Sequence, residues 1–378
     1  MSNCILSSTP VYLAFMTIHK SLPAVLILLL PCLLFGQQVK PVADFSKADT
    51  LAKTIKYDND LTLLTKQLTS PFPEQLLKVR AIFRWITENI AYDFKYFDKY
   101  SYKGKEPKTF TCSGDSLGCE IKKTAWETAY ITKVLDKKKA VCQGYAMLFK
   151  KMCDIAGIQS AVVPGYVRTE YYEVGTPGEL DHAWNAVLLN GDYYLLDATW
   201  AAGGCSKDED GKLLSFHKDY DDYYWLTPCE EFAKNHFPED PKWVLMPHYT
   251  IDKFSSNPYY VPDEAGNIKL ITPGSGIITA KKGDTIHFKL AYKGSFHDLQ
   301  INTNIFQNPD LWYWYYLSKR SRIRFNDTSA IKKQRYVKYR HDGDKYEFTY
   351  VVKDYSLDYI DILFDTRRVM RFKVHVHG

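Results

Sequence analysis

Three side chains could together attack a carbonyl group through a thiolate. Cys142 stands just before an apolar pattern of helical spacing, so it falls in the first turn of a predicted helix. Unpaired backbone N–H groups and the positive end of the helix dipole stabilise a thiolate at such a position. Later in the chain, His182 offers a base for the thiol, and Asp197 offers a carboxylate that could orient the imidazole. These residue types predict covalent catalysis by a Cys-His-Asp triad.

A predicted β-hairpin brings the histidine and the aspartate to one face. Two apolar runs flank Asn190-Gly191, which is a strong short-range signal for a two-residue hairpin turn. With these turn residues, His182 and Asp197 become diagonal neighbours on adjacent strands, with about 7 Å between their backbones. A three-residue turn would instead place them on opposite faces. The hairpin therefore predicts that Asp197 binds one imidazole nitrogen while the other nitrogen faces the thiol.

Each of these residues also has an ordinary structural explanation. A single cysteine near a helix start is more often a packed thiol, and a histidine and an aspartate on one hairpin are more often a salt-linked pair. The combination of all three residues favours catalysis over either explanation.

The elements around the triad are predicted to be a mixture of helices and strands. One helix opens at Pro73-Glu74-Gln75, and Gly157 closes the helix of Cys142 as a left-handed cap. The other predicted elements are a loop over 94–119, a short helix over 126–135, and strands over 160–166, 182–189 and 192–198. This order indicates a region of helices followed by strands.

The pattern of apolar and polar residues changes at about residue 256. Short alternating strands follow, and they predict a C-terminal antiparallel β-sandwich over 256–378. Its aromatic run from Leu311 to Leu317 is predicted to be a sandwich strand covered on both faces. The alternative is an aromatic platform for a glycan or protein partner, with Lys319, Arg320 and Arg322 suited to an acidic one.

The amino terminus reads as a targeting segment. A short basic lead precedes a nearly unbroken apolar run from Leu22 to Phe35. This run is short for a membrane span and fits a secretory signal peptide that ends near Gly36. The predicted segments are a signal peptide over 1–36, a linker or N-terminal helix over 37–70, and a catalytic domain over 71–255. Export to the periplasm, the cell surface or the medium follows, with a membrane role only if the signal stays uncleaved.

Export also changes the interpretation of the cysteines, because disulfides persist outside the cytosol. If Cys142 is a catalytic thiol and Cys153 is an inert thiol in an apolar helical pattern, two bridges become plausible. These join Cys112 to Cys119 and Cys205 to Cys229. Sequence alone does not decide between possible pairings.

Composition and spacing argue against several other classes of protein. The 378 residues carry a net charge of +5, with basic and acidic residues interleaved, so no footprint for nucleic acid stands out. The acidic stretch Asp208-Glu-Asp210-Gly211 is too short for a calcium loop. Several cysteines and histidines near it lack zinc-site spacing: Cys205, His217, Cys229 and His236. We therefore predict no metal and no cofactor.

Three blocks of sequence resemble the transglutaminase-like superfamily. They are Val-Cys142-Gln-Gly-Tyr145, His182-Ala-Trp-Asn-Ala-Val187 and Leu196-Asp197-Ala-Thr-Trp200, in the family order. Two flanks, Arg84-Trp85-Ile86 through Ile90-Ala91-Tyr92-Asp93 and Phe237-Pro-Glu-Asp-Pro241 with Trp243, resemble the branch of kyphoscoliosis peptidase and cytokinesis-associated transglutaminase-like proteins.

The resemblance covers about residues 75–250 and implies an α+β fold with a papain-like core, in which a helix packs on an antiparallel sheet. It also implies acyl chemistry on a protein or peptide substrate through a thioester, which ends in hydrolysis or in transfer to an amine. Members of the superfamily include proteases, amidases, cross-linking enzymes and catalytically lapsed scaffolds. A lapsed scaffold that binds protein or glycan partners through its β-sandwich is therefore the rival prediction.

Overall fold

The computed structural model describes residues 39–101, 110–112, 116–208, 212–318 and 321–378. The predicted signal peptide lies outside the described residues, as does most of the acidic stretch at 208–211. Among the described residues, no helix combines the length and the apolar character that crossing a bilayer requires.

Helices and short sheets alternate in the chain up to about residue 255. The helices are α1 (Ser46–Thr54), α2 (Leu61–Thr69), α3 (Gln75–Asn89), α4 (Phe94–Ser101), α5 (Ser116–Lys137), α6 (Cys142–Ile155), α7 (Ala198–Ala201), α8 (Cys229–Phe232) and α9 (Ile251–Ser255). The strands are β1 (Ala91–Tyr92), β2 (Lys139–Ala140), β3 (Ser160–Val167), β4 (Glu179–Leu189), β5 (Asp192–Leu196), β6 (Gly203–Lys207), β7 (Leu213–Lys218) and β8 (His236–Pro238).

The centre of this region is an antiparallel sheet with α6 packed on one face. The strand order is β5-β4-β3-β8. Helix α6 buries Tyr145, Leu148, Phe149 and Met152, whose spacing puts them on one side of the helix. Strand β4 is buried almost continuously from His182 onward, because helices and neighbouring strands cover it. The predicted α+β fold, with a helix on an antiparallel sheet, is confirmed.

Two predicted elements before Cys142 are wrong. The expected loop over 94–119 contains α4 and the first turn of α5, and the expected short helix over 126–135 is the end of the 22-residue α5. Helix α5 buries only Ile131, Val134 and Leu135. The first half of the helix is exposed, including its apolar residues Leu117 and Ile121, and these are too few to form the periodic apolar face that predicts a helix.

The region before residue 71 contains two helices that pack on the core. Ala48 and Ala52 of α1 and Leu64 and Leu68 of α2 are almost fully buried, in the same hydrophobic cluster as α3 and α6. Asp60 caps α2 by accepting a hydrogen bond from the backbone of Leu63 at 2.9 Å. Residues 46–69 therefore contribute to the core of the region that follows, although the domain boundaries themselves stay predictions.

A second core lies between two further sheets. The elements of this C-terminal region are β9 (Tyr259–Tyr260), β10 (Ile268–Thr272), β11 (Ile277–Lys281), β12 (Thr285–Tyr292), β13 (Leu299–Thr303), β14 (Trp312–Ser318), β15 (Ser321–Asn326), α10 (Thr328–Lys333), β16 (Arg340–Asp342), β17 (Lys345–Val351), β18 (Tyr359–Phe364) and β19 (Arg367–His377). One sheet has the order β10-β12-β17-β16, and the other has the order β11-β19-β18-β13 with β9 on β19.

Aromatic side chains join these two sheets into a sandwich. Phe288 of β12 contacts Phe348 of β17 and Phe372 of β19, each at a centroid distance of 5.2 Å. Neighbouring strands in these two sheets are antiparallel, except that β11 and β19 run parallel. The C-terminal strands thus form the expected sandwich with one mixed sheet.

The prediction for the aromatic run 311–317 is wrong. Strand β14 pairs only with β15, in a two-stranded sheet separate from the sandwich. Its rings are exposed, with Tyr313 at 54% and Tyr315 at 55% of their full accessibility. Dense aromatic character predicted burial, but both faces of this ribbon are open.

Two buried cations connect the helical region to the sandwich. The Arg168 guanidinium, which is fully buried, donates to the backbone carbonyls of Phe254 at 2.6 Å and Asn257 at 2.7 Å. The Lys234 ammonium donates to the carbonyls of Ala265 at 2.6 Å and Ile268 at 2.8 Å. Carbonyls at the end of α9 are a favourable site for a positive charge.

One of the two predicted disulfides is present. Cys112 and Cys119 are bonded, whereas Cys205 and Cys229 are both free. Cys205 lies on β6 and Cys229 begins α8, and pairing them rested on elimination rather than on any spacing. The predicted inert thiol, Cys153, is fully buried, and burial raises its pKa to about 12.

Candidate active site

Cys142 is the first residue of α6. Val141 precedes the helix in an extended conformation, and no side chain caps the helix start. The first-turn amides are therefore free of a capping side chain, and they lie beside the sulfur. The thiol is 9% exposed, and its Sγ lies 3.6 Å from the carbonyl oxygen of Asp181, to which it can donate.

Gly144, two residues after the cysteine, has a packing role. A Cβ at this position would come within 2.7 Å of the Ala140 Cβ and 3.0 Å of a Val134 methyl group. Glycine therefore lets the first turn of α6 lie close against α5 and β2.

His182 and Asp197 meet as the hairpin argument predicted, by a somewhat different route. Leu189 opposes Asp192 across the Asn190-Gly191 turn, as expected. Strand β5 nevertheless ends at Leu196, so His182 has no backbone partner on this side. Asp197 instead caps α7, and its Oδ2 lies 2.7 Å from His182 Nε2.

Asp197 is fully buried, and both of its oxygens have partners. Its Oδ1 accepts hydrogen bonds from the backbone amides of Thr199 at 2.7 Å and Trp200 at 3.1 Å. Its Oδ2 is shared by His182 and by a second imidazole, that of His236, at 3.1 Å. A buried carboxylate with this many donors is held in one orientation.

The contact between His236 and Asp197 was not predicted from the sequence. This residue begins β8, which pairs with β3 so that His236 opposes Val167. Its ring is 1% exposed and stacks on Phe232 at a centroid distance of 4.2 Å. The sequence gives one indication at this position, because Phe237-Pro238 directly after His236 resembles the family. That resemblance does not show that His236 contacts Asp197.

Burial lowers the pKa of His236 to about 4, although Asp197 opposes this change. The imidazole is therefore neutral at neutral pH and can donate from only one nitrogen. Its Nδ1 lies 2.7 Å from Asn235 Oδ1. Because His236 Nε2 must hold the proton that faces Asp197, the Asn235 amide should turn its NH₂ group toward Nδ1.

The charge balance around His182 favours the imidazolium. Burial alone would lower the pKa of His182, but the negative charges of Asp197 and Cys142, and hydrogen bonds with both, raise it to about 10. Because the pKa of His182 is raised in the folded protein, its protonation contributes to the free energy of unfolding. This contribution is fully present below about pH 6.5, the ordinary pKa of histidine, and is lost as pH rises through about 10. Burial would raise the pKa of Asp197, but His182 and His236 hold it well below its usual range.

Asn185 fastens the strand of His182 to the helix of Cys142. Its side-chain NH₂ donates to the carbonyl of Ala146 in α6 at 3.0 Å and to that of Ala161 in β3 at 3.1 Å. Gly165, opposite His182, leaves room for the Trp184 ring, since a Cβ there would lie 2.2 Å from a ring carbon. These contacts keep the thiol and the imidazole at a constant separation.

The segment from Thr169 to Leu180, which connects β3 to β4, contacts the sandwich. Arg371 of β19 lies over the Tyr171 ring at 4.2 Å, and Tyr259 donates to the Thr169 carbonyl at 3.3 Å. The segment leads directly into Asp181, whose carbonyl faces the thiol. The sandwich therefore supports one wall of the site.

A cleft lies between the residue after β1, helix α5 and the residues that lead into α6. Asp93, Tyr130, Lys139 and Val141 line it, and Val141 is the residue before Cys142 in the chain. Burial, and after it the charge of Cys142, raise the pKa of Tyr92. The cleft is therefore the described cavity that comes nearest to Cys142 in sequence.

His182, Asp197 and His236 also form a group that could offer metal ligands. Their candidate ligand atoms lie within 4.8 Å of one another, and all three residues are buried. Two imidazoles and a carboxylate are suitable donors for zinc or iron. In the described structure, however, both imidazoles point at one carboxylate oxygen at hydrogen-bond distance. The expectation of no metal stays a prediction.

One part of the chain matches a known protein family. The family model described as a transglutaminase-like domain matches residues 59–202, so the chain contains such a domain. That span holds Cys142, His182 and Asp197, whereas His236 lies beyond it.

The chain is also similar to kyphoscoliosis peptidase and to a second animal protein. It is 32% identical to the kyphoscoliosis peptidase of Mus musculus over 219 residues, which are 57% of this chain and 29% of that protein. It is 26% identical to Hillarin of Drosophila melanogaster over 229 residues, which are 57% of this chain and 25% of that protein. The predicted resemblance is confirmed, and the chain covers less than a third of either relative.

Among solved structures, a transglutaminase crystal structure overlaps with a TM-score of 0.26 at 16% identity, and it covers 44% of this chain and 36% of that one.

Proposed function

We propose that this protein is an exported cysteine enzyme that acts on protein or peptide amides through a thioester. The observation that carries the proposal is the hydrogen-bonded set of Asp197 and His182, with Cys142 at a helix start linked to the same imidazole. A packed structural histidine would not need a buried carboxylate on one side and a thiol on the other.

The chemistry follows from the order of these groups. Since Nε2 of His182 faces Asp197, the other ring nitrogen, Nδ1, serves the thiol. His182 takes the thiol proton, and the Cys142 sulfur attacks the amide carbon to form a tetrahedral oxyanion. The carbon–nitrogen bond then breaks, the amine leaves with the proton from His182, and a thioester remains. Water gives a carboxylic acid, whereas an amine gives a new amide.

The first-turn amides of α6 are suited to the developing oxyanion. They have no capping side chain, and they stand at the positive end of the helix dipole. Asp197 does not take the proton but holds the imidazole in one tautomer and balances the charge of the imidazolium. Burial of Asp197 strengthens this interaction because water does not screen it.

Trapping the thioester tests the reaction class. The protein would be incubated with peptides from an unfolded protein in the presence of hydroxylamine, which converts thioesters to hydroxamates. Wild-type protein should yield peptide hydroxamates, and Cys142→Ala should yield none. The same peptides with water alone or with a fluorescent primary amine then distinguish hydrolysis from transfer. A wild-type protein that alkylates at Cys142 but forms no hydroxamate with any peptide would contradict acyl chemistry.

Export and the type of partner are parts of the same proposal. The basic lead and the apolar run that ends near Gly36 support export, and the Cys112–Cys119 disulfide supports an oxidising compartment. A protein or peptide substrate outside the cytosol would then meet the cleft beside Val141, and a cell-surface protein or glycan is a candidate partner. Cell fractionation of the full-length protein, with its N-terminal residue determined, tests this part.

A catalytically lapsed scaffold is the second candidate. The observation that favours it is burial, because Cys142 and His182 are each only 9% exposed. A scaffold of this kind would keep the triad as a packed hydrogen-bonded group and would bind partners elsewhere. Its Cys142 would react no faster than an ordinary thiol.

His236 should tune the triad through Asp197. We expect His236→Leu, which removes the second donor to Oδ2, to lower kcat/KM by about tenfold to a hundredfold. His236→Gln, which can place an amide NH₂ near the position of Nε2, should restore most of the activity. The pH profile of Cys142 alkylation should change in the leucine variant and recover in the glutamine variant, because only a role through Asp197 moves it. Equal profiles in all three proteins would contradict this role.

A further inference from the structure

The hairpin formed by β14 and β15 is separate from both hydrophobic cores. The two strands pair only with each other, and none of their described side chains belongs to a buried cluster. The large side chains are exposed instead: Trp312 39%, Tyr313 54%, Trp314 39%, Tyr315 55%, Leu317 59%, Ile323 41% and Phe325 43%. A contiguous apolar surface of this kind is uncommon on a protein that has no further partner.

The strand register separates these side chains into two faces. Tyr313 opposes Phe325 and Tyr315 opposes Ile323, so these four share one face, and that face carries no charge. Trp312 and Trp314 lie on the other face, where Trp314 opposes Arg324. The Arg324 guanidinium lies over the Trp312 ring at 5.0 Å. Both faces therefore present aromatic rings, and one of them adds a cation.

All charged residues of the hairpin are basic. The sequence from Leu311 to Asn326 contains no acidic residue, and its cations are Lys319, Arg320, Arg322 and Arg324. The structure does not describe residues 319–320 or the side chain of Arg322. Like charges of this density oppose pairing with a second copy of the same hairpin and favour an anionic partner.

The distribution of rings narrows the type of anionic partner. A glycan or a folded protein that lies on one face would leave the rings of the opposite face in water. The headgroup region of a bilayer can surround both faces, and tyrosine and tryptophan prefer that region because each has an apolar body and a polar tip. Arginine can extend its stem along apolar surface while its charged end reaches the lipid phosphates.

We propose that the β14–β15 hairpin docks the protein on the surface of an anionic lipid bilayer. A strand of seven residues is about 23 Å long, so the described rings of the two strands can enter the headgroup region while the sandwich stays in water. This docking is independent of the chemistry at Cys142 and would hold for an enzyme or for a scaffold.

Vesicle binding by the full protein tests the proposal. The probes are phosphatidylcholine vesicles with and without about one-third phosphatidylglycerol, read by co-sedimentation and by the blue shift of tryptophan fluorescence. We expect binding to the anionic vesicles alone, weakened by salt because exposed charges are screened. The double change Tyr315→Ser and Phe325→Ser should weaken binding by about tenfold or more. Tyr355→Ser, at a residue 59% exposed outside the hairpin, is the matched control.

A second variant distinguishes a loss of binding from a loss of folding. Arg324→Gln keeps a side chain of similar length and should weaken binding several-fold at low salt and have little effect at high salt. All variants should match the wild type in thermal unfolding. Absence of wild-type binding to anionic vesicles, or wild-type affinity in both hairpin variants, overturns the proposal. Binding to an acidic polysaccharide without binding to vesicles also overturns it.

Discussion

Replacing Cys142 with alanine should lower kcat/KM for amide substrates by about 10⁴-fold or more, with little loss of folding stability. Without the sulfur no thioester forms, and only background stabilisation of the transition state remains. The thiol donates weakly to the Asp181 carbonyl at 3.6 Å and interacts with His182, and the loss of both contacts should cost the fold only about 1–2 kcal/mol. Activity assays on a peptide that the wild type processes, together with thermal unfolding, measure both effects.

Cys153→Ala is the matched control for this change. Cys153 is a free, buried cysteine on the same helix, α6, and burial raises its pKa to about 12. Its replacement should reduce stability and leave turnover of the folded protein intact. Turnover that survives in Cys142→Ala, or that disappears equally in Cys153→Ala, would exclude Cys142 as the nucleophile.

Asp197→Asn should have the second largest effect and should lower kcat/KM by about 10³- to 10⁴-fold. An asparagine oxygen can still accept the Thr199 and Trp200 amides, so the start of α7 should persist. Its NH₂ group would then face Nε2 of both His182 and His236, where the carboxylate oxygen now lies. Because an NH₂ group is a donor, it forces His182 into the opposite tautomer or turns the ring away from Cys142.

The same change should move the pH dependence of the site. The carboxylate charge is a main reason that the pKa of His182 is about 10, so its removal should lower that pKa and shift the upper limb of the activity profile to lower pH. Asp192→Asn, at an exposed acid on the same hairpin, provides a control that should change neither quantity. An Asp197→Asn variant with wild-type turnover and an unchanged profile would show that the carboxylate does not orient the base.

The sequence predicted the candidate site better than the elements around it. Asn190-Gly191 determined the register of the β4–β5 hairpin through short-range turn chemistry, and this placed His182 and Asp197 on the same side. The cap at Asp197 was not predicted, because strand β5 ends one residue before it. The contact between His182 and Asp197 forms nevertheless, because Asp197 directly follows β5 and its capping side chain points toward the same face.

Long-range contacts explain what the sequence did not predict. His236 reaches Asp197 from a three-residue strand, and the two residues are 39 positions apart. No local periodicity is expressed over so short an element. Helix α5 was predicted too short because its first half has no buried face. The aromatic β14 was predicted to be buried because the density of rings does not distinguish a core strand from an exposed one.

The most direct test of the central claim is the alkylation rate of each free cysteine at controlled pH, read by mass spectrometry. At about pH 6, where an ordinary thiol is protonated, Cys142 should react with iodoacetamide at least about a hundredfold faster than Cys205 or Cys229. Burial raises the pKa of Cys205 to about 11 and also raises that of Cys229, so both are internal controls.

His182→Ala should abolish the advantage of Cys142, because the imidazolium that stabilises the thiolate is then absent. In the wild type the advantage should persist until pH rises toward about 10, where His182 loses its proton. A Cys142 that reacts at pH 6 no faster than Cys205, or that keeps its rate without His182, would contradict an assembled Cys-His-Asp triad.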